Sequence, residues 1–265
     1  MEHLAPRWVL LAGTLLGTLA TGSTRSARDL SPTQTPMDTA PESFDDDYKG
    51  CVEQMRAELP ELNCTEFTHN RVYAEGWKAA AAEWQRRWGG RPQPGQLRQE
   101  QAIALLAYTG GSKLHKQFNE DTRRGGCSHQ HYLNSYHFKA LHFLLTTALR
   151  DLRRSHPSEC HHVFRGVRDV RFAAKKGSAV RFGHFASSSL QRNISKRFGT
   201  DTFFEIRTCL GAPIKHFSSV PCEDEDLIPP FEVFKVTEFR RVNGGNLIHL
   251  HSNGMQSRHT CELLK

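Results

Sequence analysis

The sequence predicts an α+β fold, because helical patterns fill its first half and strand-like segments fill its second half. Aromatic and small apolar residues recur at helical spacing from Tyr73 to Trp88. From His161 onward the apolar segments are short and rich in β-branched and aromatic residues, with Gly, Pro and Ser between them. Helices followed by strands, without regular alternation of the two, indicate an α+β domain.

Three helices are predicted in the first half. The first ends at Gly89-Gly90, the second runs from Gln101 to Tyr108 before Gly110-Gly111, and the third runs from Phe138 to Leu152. Because their aromatic and leucine stripes keep the period of a helix, we interpret them as core rather than as ligand sites.

Strands are predicted at five places in the second half: 163–164, 180–182, 202–206, 231–236 and 247–250. The last of these patterns lies close to a polar end of the sequence, from His251 to Lys265. We see no internal repeat and expect residues 44–265 to form a single domain.

The N-terminus has the order of features of a secretory signal. A polar start containing Arg7 is followed by the apolar run Trp8–Ala20 and then by small residues, so we predict a signal peptide over residues 1–22. The Ser-, Thr- and Pro-rich residues 23–43 are predicted to be a flexible leader or propeptide. We expect no membrane span and no lipid-anchor signal, and therefore a secreted protein or one stored in a granule lumen.

The cysteine count and the charge fit an extracellular protein. Seven cysteines would largely pair in an oxidising compartment, with at least one left over. Sequons at Asn63 and Asn193 are candidate glycosylation sites. The net charge of +7 is spread over basic pairs rather than one tract, which is typical of a solvated surface. It also suits an anionic small molecule or a glycosaminoglycan, and we expect no nucleic-acid partner.

Three local patterns in the second half could carry chemistry. Arg165-Gly166 ends a strand, three hydroxyls follow at Ser187 to Ser189, and four acids run from Glu223 to Asp226. Arginine suits bidentate contact with phosphate, but each pattern alone equally fits a surface ion pair, a turn or a solvated loop. His161-His162 and His249-x-His251 lack a third ligand of firm spacing, so we expect no metal site.

The acidic run is the most informative of the three patterns. If Glu223 to Glu225 is extended, alternation puts both glutamates on one face and the intervening Asp224 on the other. Two carboxylates on one face can stabilise developing positive charge and also hold a protic group. Cleavage of a glycosidic bond requires this combination, because its transition state is oxocarbenium-like.

Arg, then a Ser cluster, then Glu-x-Glu, each at a strand end, resembles the R-S-E-x-E signature of the vertebrate arginine-specific mono-ADP-ribosyltransferases, relatives of cholera-type toxins. The signature corresponds to Arg165, Ser187 and Glu223-Asp224-Glu225. The resemblance extends over about Phe44 to Cys261 and includes the strings at 107–109, 138–143, 163–167, 185–189, 197–199, 211–214 and 227–230.

The resemblance implies a fold and a reaction. The helical half would pack on a two-sheet β core with an NAD cleft between the sheets, and the enzyme would transfer ADP-ribose from NAD, or also NADP, to arginine. The acceptors would be arginine-bearing proteins or small guanidino compounds, and the enzyme would be a monomer. An NAD glycohydrolase and a catalytically decayed basic binding protein are the alternatives.

The resemblance also implies roles for individual residues. Arg165, with Gly166 beside it, would brace the phosphates and ribose of NAD, and Ser187 would orient the nicotinamide ribose. Glu225 would stabilise the oxocarbenium ion while Glu223 removes a proton from the acceptor guanidinium. Further NAD contacts are implied for a set of four residues: Tyr108, His184, Phe198 and Ser218.

Two departures from the family pattern and two disulfides complete these expectations. Asp226 stands where the family often has Val, and alternation should point it away from Glu225; His184 stands where Gln is frequent. The family pattern implies the disulfides Cys51–Cys261 and Cys160–Cys209, which leaves Cys64, Cys127 and Cys222 in an open state.

Overall fold

The computed structural model describes residues 33–111, 113–154, 160–242 and 244–265. The signal peptide predicted for residues 1–22, and residues 23–32 of the predicted leader, lie outside the described residues.

The helices of the first half form one layer of the molecule. Over the described residues they are α1 (Val52–His69), α2 (Arg71–Trp88), α3 (Gln99–Thr109), α4 (Lys113–Arg124), α5 (His129–Ser135) and α6 (Lys139–Arg153). The centre of this layer is formed by α3 and α6, whose side chains are buried over 101–108 and 139–149. Helices α1, α2 and α4 each pack against α3 or α6.

The three predicted helices are confirmed, with their ends displaced by a few residues. Asn70 caps the start of α2, since its side chain accepts a hydrogen bond from the Tyr73 backbone N–H at 3.0 Å. The same helix ends at Gly89, as the glycine pair predicts. Helices α1, α4 and α5 are additional. Pro60 lies inside α1, and the surface of α4 is strongly polar, so neither segment gave a clear apolar stripe in the sequence.

The other layer is formed by strands, all from the second half of the chain except the first. They are β1 (Thr33–Pro36), β2 (His161–Val167), β3 (Val170–Ala173), β4 (Ala179–Val180), β5 (Ala186–Ser189), β6 (Thr202–Thr208), β7 (Ala212–Pro213), β8 (Glu225–Ile228), β9 (Glu232–Val242) and β10 (Gly245–Met255), with the short helix α7 (Arg192–Lys196) between β5 and β6. Within the described part of the chain, eight strands form one mixed sheet in the order β4-β9-β10-β6-β2-β5-β8-β7, and β1 pairs with β3.

The large sheet consists of two parts that meet at one residue pair. Strand β2 pairs with β6 over its whole length, from His161↔Thr208 to Val167↔Thr202. On its other side β2 pairs with β5 only at Phe164↔Ser189, and the strands diverge beyond that pair. The α+β fold is therefore confirmed, and the two expected β layers are joined at this seam rather than separate.

The folded part of the chain begins before Phe44. Thr33–Pro36 pairs in parallel with Val170–Ala173, and the Asp45 carboxylate binds Arg181 and His259 in the interior. The composition of residues 33–43 predicts a flexible leader, and the structure differs there. The reason is that this Thr- and Pro-rich segment is ordered by an edge strand far along the chain, which local composition does not reveal.

Two disulfides fasten the chain. Cys51 is bonded to Cys261 with Cα atoms 6.1 Å apart, and Cys160 is bonded to Cys209 beside the first residue of β2. These are the two pairs that the resemblance implies, and the remaining cysteines are free and exposed: Cys64, Cys127 and Cys222.

The two sequons differ in their surroundings. Asn63 lies within α1, where its Oδ1 accepts a hydrogen bond from the Tyr73 hydroxyl at 2.6 Å. Asn193 lies exposed on α7. As for the membrane, none of the helices in the described ranges combines the length and apolarity that crossing a bilayer requires.

Candidate active site

A cavity of about 570 Å³ opens where β2 and β5 diverge. Strands β2 and β5 supply Arg165, Gly166 and Ser187 to its wall, and the segment around β8 supplies Glu223 and Glu225. Tyr108 of α3 and Phe198, just after α7, line it as well. Seven of the nine residues predicted for the site are therefore brought together at the seam of the sheet.

Arg165 connects the two strands at the point where their backbone pairing stops. Its Nη1 donates a hydrogen bond to the Ser187 carbonyl, and its guanidinium lies 6.0 Å from the centre of the Phe182 ring. Burial lowers the pKa of Arg165 from its ordinary value, which leaves the group cationic at neutral pH because arginine starts from a pKa above 12. A fixed positive charge therefore stands in the wall of the cavity.

Glu225 is the first residue of β8 and is 5% exposed. Its carboxylate receives a hydrogen bond from the Ser187 side chain and one from Ser218 Oγ at 3.4 Å. Burial raises the pKa of Glu225 to about 7, and the charge of Glu223 adds to that rise, while the two serines and Arg165 oppose it. The carboxyl therefore changes charge close to neutral pH.

Glu223 reaches the same cavity by a route that differs from the prediction. It ends a turn of 3-10 helix (Pro221–Glu223), and Asp224 follows in the left-handed region at φ 50° and ψ 52°. The expectation of an extended Glu223-Asp224-Glu225 with strand alternation is therefore wrong. Ser189 Oγ donates to the Glu223 carbonyl at 2.7 Å, so β5 stabilises the turn.

The two glutamates are in different environments. Glu225 is buried, whereas Glu223 is half-buried, and burial raises its pKa too. Asp224 forms an ion pair with Lys215 at 3.0 Å outside the cavity. One carboxylate thus lies deep in the site and the other at its opening.

Asp226 points away from Glu225, as predicted. It is fully buried on the other face of β8, and its Oδ2 lies 2.7 Å from His161 Nδ1. Burial raises the pKa of Asp226, and the hydrogen bond from His161 opposes that rise. The acid at this position therefore acts on the far side of the strand, not in the cavity.

Gly166 allows the segment that carries Phe198 to approach β2. A Cβ atom at this position would lie 2.1 Å from the Ser195 carbonyl oxygen and 2.5 Å from that of Gly199. Such distances are shorter than any van der Waals contact, so no other residue fits without moving the backbone. Phe198 itself is half exposed and lines the cavity, so an aromatic ring is accessible there to a ligand.

The structure does not bring His184 and Ser218 to the cavity wall; both lie behind it. His184 Nδ1 donates to the Phe182 carbonyl at 2.6 Å, so its Nε2 is left to accept a hydrogen bond from Arg123 at 3.2 Å. Burial holds the pKa of His184 well below its ordinary value, and the charge of Arg123 lowers it further. His184 is thus a neutral support for Arg123, and Ser218 supports Glu225.

Several residues of the site were missed by sequence reasoning. Asn119 of α4 lines the cavity, and its Nδ2 donates to the Tyr108 hydroxyl at 3.1 Å. Tyr108 donates in turn to the Phe185 carbonyl at 2.8 Å, which fixes α3 against β5. The helix that carries Asn119 was not predicted from the sequence, so nothing in the sequence pointed to this role. Among the residues with described positions, no group of three or more His, Cys, Asp or Glu is arranged to hold a metal ion.

Comparison with known proteins gives one consistent family. The family model described as NAD:arginine ADP-ribosyltransferase matches residues 37–258. The chain is 58% identical over 265 residues to the chicken (Gallus gallus) protein NAD(P)(+)--arginine ADP-ribosyltransferase 2, covering all of this chain and 85% of that protein. It is 48% identical over 252 residues to the human GPI-linked NAD(P)(+)--arginine ADP-ribosyltransferase 1, covering 90% of this chain and 77% of that protein.

A solved structure agrees with these sequence relatives. A mutant of the eukaryotic mono-ADP-ribosyltransferase ART2.2 in complex with NAD matches with a TM-score of 0.74 and 34% identity, over 87% of this chain and 99% of that one.

Proposed function

This chain belongs to the NAD:arginine ADP-ribosyltransferase family, and we propose that it transfers ADP-ribose from NAD to arginine side chains of acceptor proteins, releasing nicotinamide. The observation that carries the proposal is the meeting of Arg165, Ser187 and a nearly fully buried Glu225 in one cavity at the seam of the sheet, with Glu223 at its opening.

The cavity suits a dinucleotide in size and in charge. A volume of about 570 Å³ lies in the range of small-molecule sites. Arg165 offers a guanidinium to a pyrophosphate, and the two glutamates offer negative charge to a cationic nicotinamide ribose. Phe198 presents an aromatic face that a nicotinamide ring can stack on.

Glu225 assists the step in which the bond between the ribose and nicotinamide breaks. As the bond between the ribose C1′ and the nicotinamide nitrogen breaks, its electron pair leaves with nicotinamide and positive charge develops on the ribose. The ionised Glu225 stabilises that charge, and because the side chain is nearly fully buried, its fixed carboxylate is worth more there than in water. Ser187 and Ser218 orient the carboxylate for this task.

Glu223 prepares the acceptor. A guanidinium is not a nucleophile until it loses a proton, and free arginine keeps that proton until pH above ~12. Glu223, half-buried at the opening, accepts the proton while the guanidino nitrogen bonds to C1′. The raised pKa of Glu223 makes it a better base than an exposed carboxylate.

The proposed transfer is tested with labelled NAD and agmatine, a small guanidino acceptor. The wild-type protein is expected to form ADP-ribosylagmatine and nicotinamide, and Glu225→Ala is expected to lose both by about 10²–10³-fold. Asp226→Asn is the matched control, because Asp226 is the next acid along the chain but lies on the opposite face. Absence of nicotinamide release from the folded wild type would favour a decayed binding protein instead.

The location and the partners follow from the same reasoning. We propose that residues 1–22 are a secretory signal, that the catalytic domain begins before Phe44, and that the protein acts outside the cytosol with Asn193 as a glycan site. Two disulfides and the GPI-linked human relative support an extracellular setting. We propose a monomer, since one chain supplies every residue of the proposed site, with NADP as a second donor.

A further inference from the structure

The loop of Ser218, Ser219 and Val220 lies directly behind Glu225. Ser218 is fully buried, and its Oγ accepts a hydrogen bond from the Val220 backbone N–H at 3.0 Å. The same Oγ donates to Glu225 Oε2 at 3.4 Å. Because the backbone N–H already fills an acceptor position of the hydroxyl, its proton is directed at the carboxylate.

The helical layer holds this loop in place. Ser219 is bonded twice to the end of α3: its backbone N–H donates to Thr109 Oγ1 at 2.8 Å, and its Oγ donates to the Leu106 carbonyl at 3.0 Å. Ser218 is held from α2, because Arg87 Nη1 donates to the Ser218 carbonyl at 2.9 Å. The residue that touches Glu225 is therefore fixed by a guanidinium from another layer.

Arg87 is itself held in one orientation. Its Nε donates to Glu83 Oε1 at 2.5 Å, and its side chain is only 18% exposed. Its guanidinium lies 5.7 Å from the centre of the Trp88 ring, and that ring lies 5.8 Å from Phe217, just before the loop. The planar Arg87 guanidinium binds the Glu83 carboxylate on one side and the Ser218 carbonyl on the other, so it connects α2 rigidly to the loop.

Arg86 provides a natural comparison. It binds the same Glu83 through two hydrogen bonds, of 2.7 and 2.6 Å. Its side chain is 71% exposed, and its described contacts do not include Ser218. The two neighbouring arginines therefore share a partner and differ in the contact with the loop.

Resting on the proposed role of Glu225, we propose that Arg87 is a positioning residue for this reaction: it holds the Ser218 backbone so that the Ser218 hydroxyl stays directed at the Glu225 carboxylate. The assignment follows from the unbroken chain of contacts from Glu83 through Arg87 and Ser218 to Glu225. Loss of the guanidinium frees the loop, weakens the hydrogen bond to the carboxylate, and leaves Glu225 harder to ionise.

The test compares Arg87→Met and Arg87→Lys with Arg86→Met, using kcat/KM for nicotinamide release from NAD between pH 5 and 9. Arg87→Met is expected to lower kcat/KM about tenfold at pH 7. It is also expected to move the acid limb of the profile, the rise of kcat/KM as Glu225 ionises, to a pH higher by roughly 0.5–1 unit, because the ionised carboxylate loses a hydrogen bond. Arg87→Lys is expected to lie between, since an ammonium reaches one of the two partners. Arg86→Met is expected to keep the wild-type limb.

An acid limb in Arg87→Met that coincides with the wild-type limb would overturn the inference, whatever the change in thermal stability. If Arg87→Met shows no cooperative unfolding, Arg87→Lys decides by the same criterion, because it keeps the charge and the aliphatic stem. A wild-type protein that releases no nicotinamide would contradict the proposed function instead, so the two failures are distinguishable.

Discussion

Glu225→Gln is expected to change activity and stability in opposite directions. The variant keeps the shape of the side chain and removes its charge. Because the pKa of the wild-type carboxyl is about 7, about a tenth of it is ionised at pH 6 and about nine tenths at pH 8. If only the ionised form stabilises the developing charge, wild-type kcat/KM rises about tenfold over that interval. The variant is expected to lose activity about 10²–10³-fold and to show no limb near pH 7.

The stability effect has the opposite sign. The folded pKa of about 7 lies above the ordinary value of 4.5, so the contribution of this carboxyl to stability is fully present below pH ~4.5 and is lost as pH rises through 7. The difference corresponds to about 3 kcal/mol, since a tenfold change in acid dissociation is worth ~1.4 kcal/mol. Above pH 7 the Gln variant should therefore be the more stable protein by up to that amount.

Two measurements check this pair of effects: the pH profile of kcat/KM for nicotinamide release, and urea unfolding at pH 5 and pH 8. Glu223→Gln is the control, because it removes the other carboxylate of the cavity but leaves Glu225 ionisable. It should keep a rise of kcat/KM with pH, moved to lower pH because the charge of Glu223 contributes to the raised pKa of Glu225. A flat wild-type profile from pH 6 to pH 8, or a stability difference that does not change with pH, would refute the reasoning.

Three further predictions concern the scaffold. Gly166→Ala should lower kcat/KM at least tenfold in steady-state kinetics, because its Cβ would lie 2.1 Å from the Ser195 carbonyl and must displace the segment carrying Phe198. Gly177→Ala is the control, since it strains the backbone at φ 87° but its Cβ meets no atom within 4 Å. Glu66→Ala should lower the free energy of unfolding by about 2–4 kcal/mol in urea titrations, because Glu66 accepts the Lys139 and Ala140 backbone N–H groups at 2.6 and 3.0 Å where α6 begins; an equal loss in Glu61→Ala would contradict that. Replacing Cys51 and Cys261 by Ser should lower the free energy of unfolding by up to about 5 kcal/mol, because the disulfide closes a loop of 210 residues. Reduction of the wild type breaks both disulfides, so its loss of stability should equal the sum of the losses in the Cys51/Cys261 and Cys160/Cys209 double variants.

The sequence predicts well those parts of the fold that local chemistry determines. Helix α2 ends at Gly89 because a glycine pair follows a clear apolar stripe, and the strand patterns around Phe164 and Phe204 lie in β2 and β6. Strand β1 was not predicted, since its pairing partner Val170–Ala173 is more than 130 residues away. Pairing over such a distance leaves no local pattern to read.

The candidate site shows the same division. The order of Arg165, Ser187 and Glu225 along the chain predicted a shared site only through its resemblance to a known signature, and the structure places all three in one cavity. The path of the chain from Glu223 to Glu225 was predicted wrongly, since Asp224 adopts a left-handed conformation that a turn against β5 stabilises. Arg87 and Asn119 are on helices, and only the packed structure shows what their side chains reach.

The central claim is the division of labour between the two glutamates, and the product ratio of Glu223→Gln tests it most directly. With labelled NAD and agmatine, the variant is expected to keep hydrolysing NAD at a measurable rate, while transfer to agmatine falls at least about tenfold more than hydrolysis does. The reason is that a guanidinium must lose a proton before it can attack, and it depends on Glu223 for this more than water does. If hydrolysis and transfer fall by the same factor, Glu223 does not act on the acceptor and the account is contradicted.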